Sequence, residues 1–453
     1  MPSHGTPHAA DSLGNPLTLD DAASLALVDD FVMGFLSTEA RAVNLLALAE
    51  RDASPIVQAY CATLHLFAES REAATNAQPF LDKARAGAAR ATPREQRYIA
   101  AVQAWADGDI AHAIALHAEQ ARAHPRDLVS VKLGQYHCFN TGDCPGMLRL
   151  ALAALPAAAE VPYVHGMAAF GYEQCHLLRE AEASARHAIG LCRKEPWAHH
   201  ALAHVMLTEG RLAEGLAFMQ GVSDTWTGLN SFMVTHNWWH VALFLIDLGR
   251  DAEALAVYDE HAWGVVKDYS QDQIGAVSLL ARLELAGIDV GARWDDVADH
   301  LRQRQADHVL PFLDLQYLYG LARAGRPEAQ VLLHNIEAFA PVAPASTRAA
   351  WQRVCVPAAR GLVAHARGDV AGAVEGLGVA LPRLIEIGGS HAQRDLFEQL
   401  YLDALVRTGT EAALAGAQGL LQQQLNGQPE SLRLRRQADA VYARLGLGQI
   451  TAR

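Results

Sequence analysis

The sequence predicts an all-α protein built as a solenoid of paired helices, and three observations carry that expectation. Ala and Leu dominate the 453 residues while β-branched residues are sparse, a composition that favours helix almost everywhere. Glycines recur between helical segments at a near-regular spacing, most of them followed by a polar or charged residue. Prolines 125, 162, 196 and 311 fall between the units so defined, where they start or separate helices.

The glycines are Gly108, Gly142, Gly210, Gly249, Gly287, Gly325, Gly368 and Gly409, with gaps of 34, 68, 39, 38, 38, 43 and 41 residues. The long gap divides if Leu-Leu-Arg-Glu-Ala-Glu-Ala at 177–183 fills the same turn without its glycine. A period of this length with two amphipathic helices per unit describes a tetratricopeptide-like helical-repeat solenoid, a right-handed α–α superhelix. A left-handed glycine ends the first helix, the polar residue after it opens the return, and small residues let the pair approach closely. No Val-, Ile- or Thr-rich alternating run competes for strand. The expected organisation is a polar N-terminal tail over 1–16 and one continuous superhelix over 17–453, long enough for its later repeats to close over a central pocket.

Charge and hydropathy exclude several classes of function. A formal charge of −13 argues against nucleic acid or an anionic membrane as partner, since phosphate neutralisation needs clustered Lys and Arg. The one dense basic group, Arg433, Arg435 and Arg436, reads as a solvated helix face. Residues 1–16 have no apolar core of a signal peptide, and the longest apolar stretch, 238–248, is interrupted by His240 and Asp247. Six cysteines without C-x-x-C spacing read as reduced thiols. These features describe a cytoplasmic protein.

Two histidine pairs interrupt the plain scaffold: His200-Ala-Leu-Ala-His204 and His236-Asn-Trp-Trp-His240. Spacing of i and i+4 projects two imidazoles from one helix face, a turn apart. Setting each turn glycine as position 15 of its unit places His200 at 5 and His204 at 9, both facing the concave groove. In the next unit His236 falls at 2, Trp239 at 5, Asp247 at 13 and His240 at 6, on the edge of that face. Neighbouring first helices run about 8–10 Å apart, so the imidazoles can converge. They suit hydrogen bonds across inter-repeat contacts, a divalent-metal site, or acid/base work on a small polar ligand with Trp239 as stacking wall. The acidic partner of H-E-x-x-H is missing, since Ala201 and Asn237 follow the first histidines. No cofactor or resident metal is therefore expected, although a divalent metal on the pairs stays open.

From about residue 94 onward the chain resembles the tetratricopeptide repeat protein 38 family. The matching stretches are Arg94-Glu-Gln-Arg-Tyr98, His165-Gly-Met-Ala-Ala-Phe-Gly-Tyr-Glu173, Trp197 to His204 with Glu214-Gly-Leu216, and His236 to Leu243. Later ones are Ser278-Leu-Leu280, Gly291-Ala-Arg-Trp294 and Ile387-Gly-Gly-Ser-His-Ala-Gln-Arg-Asp395. The resemblance implies the superhelix and carries no reaction. Gln316 stands where that pattern has His, and Gly275 where it has an acidic residue.

Within the 387–395 stretch, Ser390 and Gln393 fit a capping box behind a glycine pair. That leaves His391, Arg394 and Asp395. An Arg near a helix N-terminus is electrostatically unfavourable, which a carboxylate-bearing ligand or an ion pair with Asp395 or another repeat would resolve. Tyr172 and Glu173 precede the first histidine pair, Tyr172 facing the groove and Glu173 able to orient a histidine or serve as acid/base. Asp314, just after Pro311, suits a helix N-terminus. Phosphate loops, dinucleotide fingerprints and G-x-S-x-G elbows are absent from the sequence.

The expected function is binding of a polar, carboxylate-bearing small molecule in the concave pocket, with His200, His204, His236 and His240 as catalytic acids and bases. Glu173, Tyr172, Trp239, His391, Arg394 and Asp395 would bind the ligand, Arg394 as its anchor. The alternative is a non-catalytic scaffold that holds a peptide or partner protein. Homo-oligomers stay open on either reading.

Overall fold

The computed structural model describes residues 9–448. Regular structure among these described residues is helical apart from one short hairpin, and consecutive helices pack as pairs, as the repeat pattern predicts. All eight turn glycines adopt the left-handed conformation, with φ between 66° and 87°. His176, φ 56°, takes that conformation in the turn that lacks a glycine, so the 68-residue gap holds the expected extra unit. The residue after the glycine works as expected too. Asp109, Asp143, Asp369 and Thr410 each accept a backbone N–H with the side chain and so cap the second helix of their pair.

The chain forms two compact units. Unit 1 comprises 1–201, 225–233 and 344–346; unit 2 comprises 202–224, 234–343 and 347–453. In unit 1, β1 (Ala9–Ala10) pairs antiparallel with β2 (Pro16–Leu17). Asp11 accepts the backbone N–H groups of Leu13 and Asn15 across the turn, and the Asn15 side-chain Nδ2 donates to the Arg126 carbonyl. Residues 9–16, grouped with the polar tail on composition, are thus a folded hairpin whose polar side chains close its own turn. Residues 1–8 lie outside the described residues.

The helices of unit 1 are α1 (Leu25–Ser37), α2 (Pro55–Leu66), α3 (Ala73–Gly87), α4 (Pro93–Ala106), α5 (Ile110–Ala123), α6 (Leu128–Asn140), α7 (Cys144–Ala154), α8 (Pro162–Gln174) and α9 (Leu178–Leu191). α10 (Pro196–Thr208) begins in this unit. Pro162 and Pro196 start α8 and α10, where a missing N–H costs nothing. α9 buries Ala181, Ala185 and Ala188, one small stripe that lets it lie close on α8.

Unit 2 takes the end of α10, then α11 (Leu212–Val222), most of α12 (Ser231–Asp247), α13 (Asp251–Val257), α14 (Ser270–Leu285) and α15 (Arg293–Leu301). α16 (Pro311–Arg323) and α17 (Glu328–Phe339) follow, and α18 (Arg348–Ala350) runs through a π-helical turn, Trp351–Cys355, into α19 (Val356–Ala366). The remaining helices are α20 (Val370–Ala380), α21 (His391–Thr408), α22 (Glu411–Gly427) and α23 (Leu432–Arg444).

Two features of unit 2 position its site. α23 buries Leu434, Ala438, Val441 and Tyr442 against Leu402 and Leu405 of α21 and Ala417 and Leu421 of α22. That apolar stripe fixes the rotation of α23, and Arg433 at its start is turned toward α12. The end of α22 also lies against the α10–α11 turn, where a Cβ on Gly210 would come within 2.9 Å of the Gly427 carbonyl oxygen. Gln428 donates from there to the Leu207 carbonyl at 2.6 Å. Among the described residues no helix is long and apolar enough to cross a membrane. No disulfide joins the six cysteines.

Candidate functional site

All four histidines of the two pairs are buried. His200 lies in unit 1, stacked on Trp197 with ring centres 4.9 Å apart and tilted against Phe170 at 5.0 Å. Glu173, fully buried in the same unit, accepts from the Gln174 amide at 2.6 Å, and Tyr172 is half-buried beside it.

His204, His236 and His240 gather in unit 2, where ring nitrogens of the three lie within 4.8 Å of one another. The His204 and His240 rings are 4.6 Å apart, and those of His236 and His240 4.9 Å. His391, at the start of α21, brings its Nε2 to 3.4 Å from Nδ1 of His204. Burial, with the neighbouring His204 adding to it, pushes His236 down to about 3, so this imidazole is neutral near pH 7. Imidazoles so grouped can pass a proton or offer nitrogens to a divalent cation, which a protein binds at about 2.0–2.1 Å.

Trp239 is buried in this cluster, its ring parallel to His236 at 5.2 Å. The Arg282 guanidinium of α14 sits 5.2 Å from the same ring. Trp239 is therefore a platform for Arg282 rather than a lining residue of the cavity that follows.

A cavity of about 350 Å³ adjoins this cluster within unit 2, lined by charged groups from four helices and the histidine next to them. These are Asp247, Arg282, His391, Asp395, Glu398 and Arg433. Buried Arg282 donates to Ser278 Oγ at 2.7 Å and to the Ala392 carbonyl at 2.6 Å, with an Asp395 oxygen 3.7 Å away. Burial pushes it down to about 10 against the opposing pull of Asp395. On the facing side one Asp247 oxygen accepts from Ser431 Oγ at 2.7 Å and from Arg433 Nε at 2.8 Å.

This geometry corrects two expectations and decides a third. The Arg394 guanidinium donates to the Gly389 carbonyl, closing the glycine turn behind the capping box, and does not line the cavity. Arg433 is buried, its side chain 9 % exposed, because the apolar stripe of α23 turns it inward, where a solvated face was expected. Asp395 pairs with Arg282 of α14, so its ion pair reaches another repeat. The capping box itself forms as predicted, and Asp247 lines the cavity.

Arg282 carried a sequence signal, the one charge in the largely apolar run Ala276 to Leu283. Arg433 carried none, since its neighbours Arg435 and Arg436 are exposed. Asp314 occupies the first turn of α16 as expected. It also accepts from His308 Nδ1 at 2.6 Å, and burial pushes it up to about 6. Gln316 is buried on the same helix, and its amide atoms have no partner among the described residues.

No family model matches the chain. Among solved structures, the chain is similar to one titled as Naa15/Naa10 bound to HypK-THB, at 13% identity and a TM-score of 0.25. The match covers 94% of this chain and 67% of that one. What the chain's own residues establish is an all-α helical-repeat protein whose second unit carries a charged cavity beside clustered histidines.

Proposed function

We propose that the protein binds a small, polar, carboxylate-bearing molecule in the cavity of unit 2. One observation carries this reading: Arg433 Nη1 is buried in the cavity wall and has no hydrogen-bond partner among the described residues. Leaving a buried charged donor unmade costs about 1–3 kcal/mol or more, and an acceptor carried by a ligand would recover that cost. The volume falls at the small end of ligand sites, which run from about 300 to 1,000 Å³.

On this reading His391 is the acid/base group that the ligand meets, and His204 behind it is a positioning residue. Catalysis would then run through a proton passed between imidazoles. The experiment is native mass spectrometry of the purified chain, followed by release and identification of any small molecule it carries. Incubation of that molecule with wild-type protein and His391→Asn separates turnover from binding. A bound acid released unchanged supports a binding protein, and conversion lost in the variant supports an enzyme. A chain that carries no small molecule, and is not stabilised by any acid in a thermal-shift panel, refutes the cavity reading. A partner-binding scaffold, the second reading on fold class, would then stand.

A further inference from the structure

The cavity asks for more than an anion. Its charges are partly balanced already, Arg433 by Asp247 and Arg282 by Asp395. A third carboxylate, Glu398, lines it; the positive charge acting on it is Arg394 of its own helix, and it makes no ion pair with Arg282 or Arg433. Loss of water around that carboxyl and the nearby Asp395 charge raise it above the ordinary carboxylate range, with the Gln424 amide and the Arg394 charge offsetting them in part.

The unmet hydrogen-bond capacity has the same two-sided character. On the donor side stands Arg433 Nη1. On the acceptor side stand Gln399 Oε1 and Gln424 Oε1, buried in the wall with no partner among the described residues. An anion would satisfy the guanidinium and leave two amide oxygens and the Glu398 carboxylate facing it. A cation would do the reverse.

We infer that the cavity binds a small zwitterion of the α-amino-acid class, an inference that rests on the cavity being a ligand site. The ligand carboxylate accepts from Arg433 Nη1, and its ammonium donates to the amide oxygens of Gln399 and Gln424 and faces Glu398. Three ammonium protons meet three acceptors. The size agrees: at about 30 Å³ per water-sized group, 350 Å³ holds roughly a dozen non-hydrogen atoms, enough for an amino acid with a medium side chain. Leu207, Leu243 and Ile246 supply the apolar part of the wall.

Isothermal titration calorimetry of the full chain tests this with the standard L-α-amino acids, each beside its α-amide and its N-acetyl derivative. Succinate and putrescine serve as dianion and dication. The expected result is binding of at least one free amino acid, weakened about tenfold or more when either end is blocked. Glu398→Gln and Gln424→Leu should weaken the free acid and its amide alike, whereas Arg433→Met should remove the preference for the free acid over the amide. Because the blocked ligands test both ends on wild-type protein, a variant that fails to fold does not rescue the idea. Binding of succinate or putrescine without any amino acid, or equal binding of blocked and free forms, overturns the zwitterion and leaves a small-ligand site standing. No binding across the whole panel overturns the zwitterion too, and an empty chain in native mass spectrometry then removes the ligand site with it.

Discussion

Acidification should loosen unit 2 through His236, and the size of the effect follows from its burial. The folded-state value of about 3 lies below the ordinary 6.5. Between those values the unfolded chain binds more protons, so the stability is fully present above pH 6.5 and is lost as the pH falls toward 3. The full gap of 3.5 units corresponds to about 5 kcal/mol at 1.36 kcal/mol per unit. Only part is spent by pH 5, where protonation of the unfolded imidazole costs roughly 2 kcal/mol relative to pH 7. Hydrogen exchange, read by mass spectrometry on peptides of α12 and α14 and corrected for intrinsic rates, measures that opening free energy locally. Wild-type protein should lose roughly 2 kcal/mol more protection between pH 7 and pH 5 than His236→Asn, which has nothing to protonate. Equal losses in the two proteins would show that His236 is not held neutral by burial, and the reasoning fails.

Three further outcomes follow from named contacts. Gly210→Ala and Gly325→Ala place the same residue at nearly the same φ, 70° and 66°, but only the first meets backbone, at Gly427 and Gln428. Chemical denaturation should show about 1 kcal/mol lost at Gly325 and at least 1 kcal/mol more at Gly210; equal losses would refute the close approach of α22. Ser390→Ala removes the side chain that accepts the Gln393 amide, and should cost about 1 kcal/mol of unfolding free energy. Asp247→Ala strips the buried Arg433 charge of its partner, and about 3–5 kcal/mol is expected from the same measurement, far beyond an exposed pair. A loss below 1 kcal/mol there would mean that Arg433 reaches water.

Local chemistry makes the repeats legible. A glycine needs no Cβ clearance in the left-handed turn, and the Asp or Thr after it caps the next helix, so both ends of each turn are written in adjacent residues. The same locality exposes the capping box at Ser390. Helical spacing likewise puts His236 and His240 on one face of α12, where their rings meet. His176 marks the limit of that reading, because its left-handed turn has no glycine to announce it.

What the tertiary structure decided is which charges were taken out of water. Arg433 and Arg435 look alike in sequence, and only the burial of Leu434, Ala438 and Val441 turns the first inward and leaves the second in solvent. Arg394 reads as a ligand anchor in the sequence, but the fold gives its guanidinium a carbonyl in the glycine turn, and gives Asp395 to Arg282 from more than a hundred residues away. Helix starts, helix stops and turns are set by neighbours along the chain. The cavity is set by packing between α10, α12, α14 and α21 to α23, and side-chain packing over such separations leaves no periodic mark in the sequence.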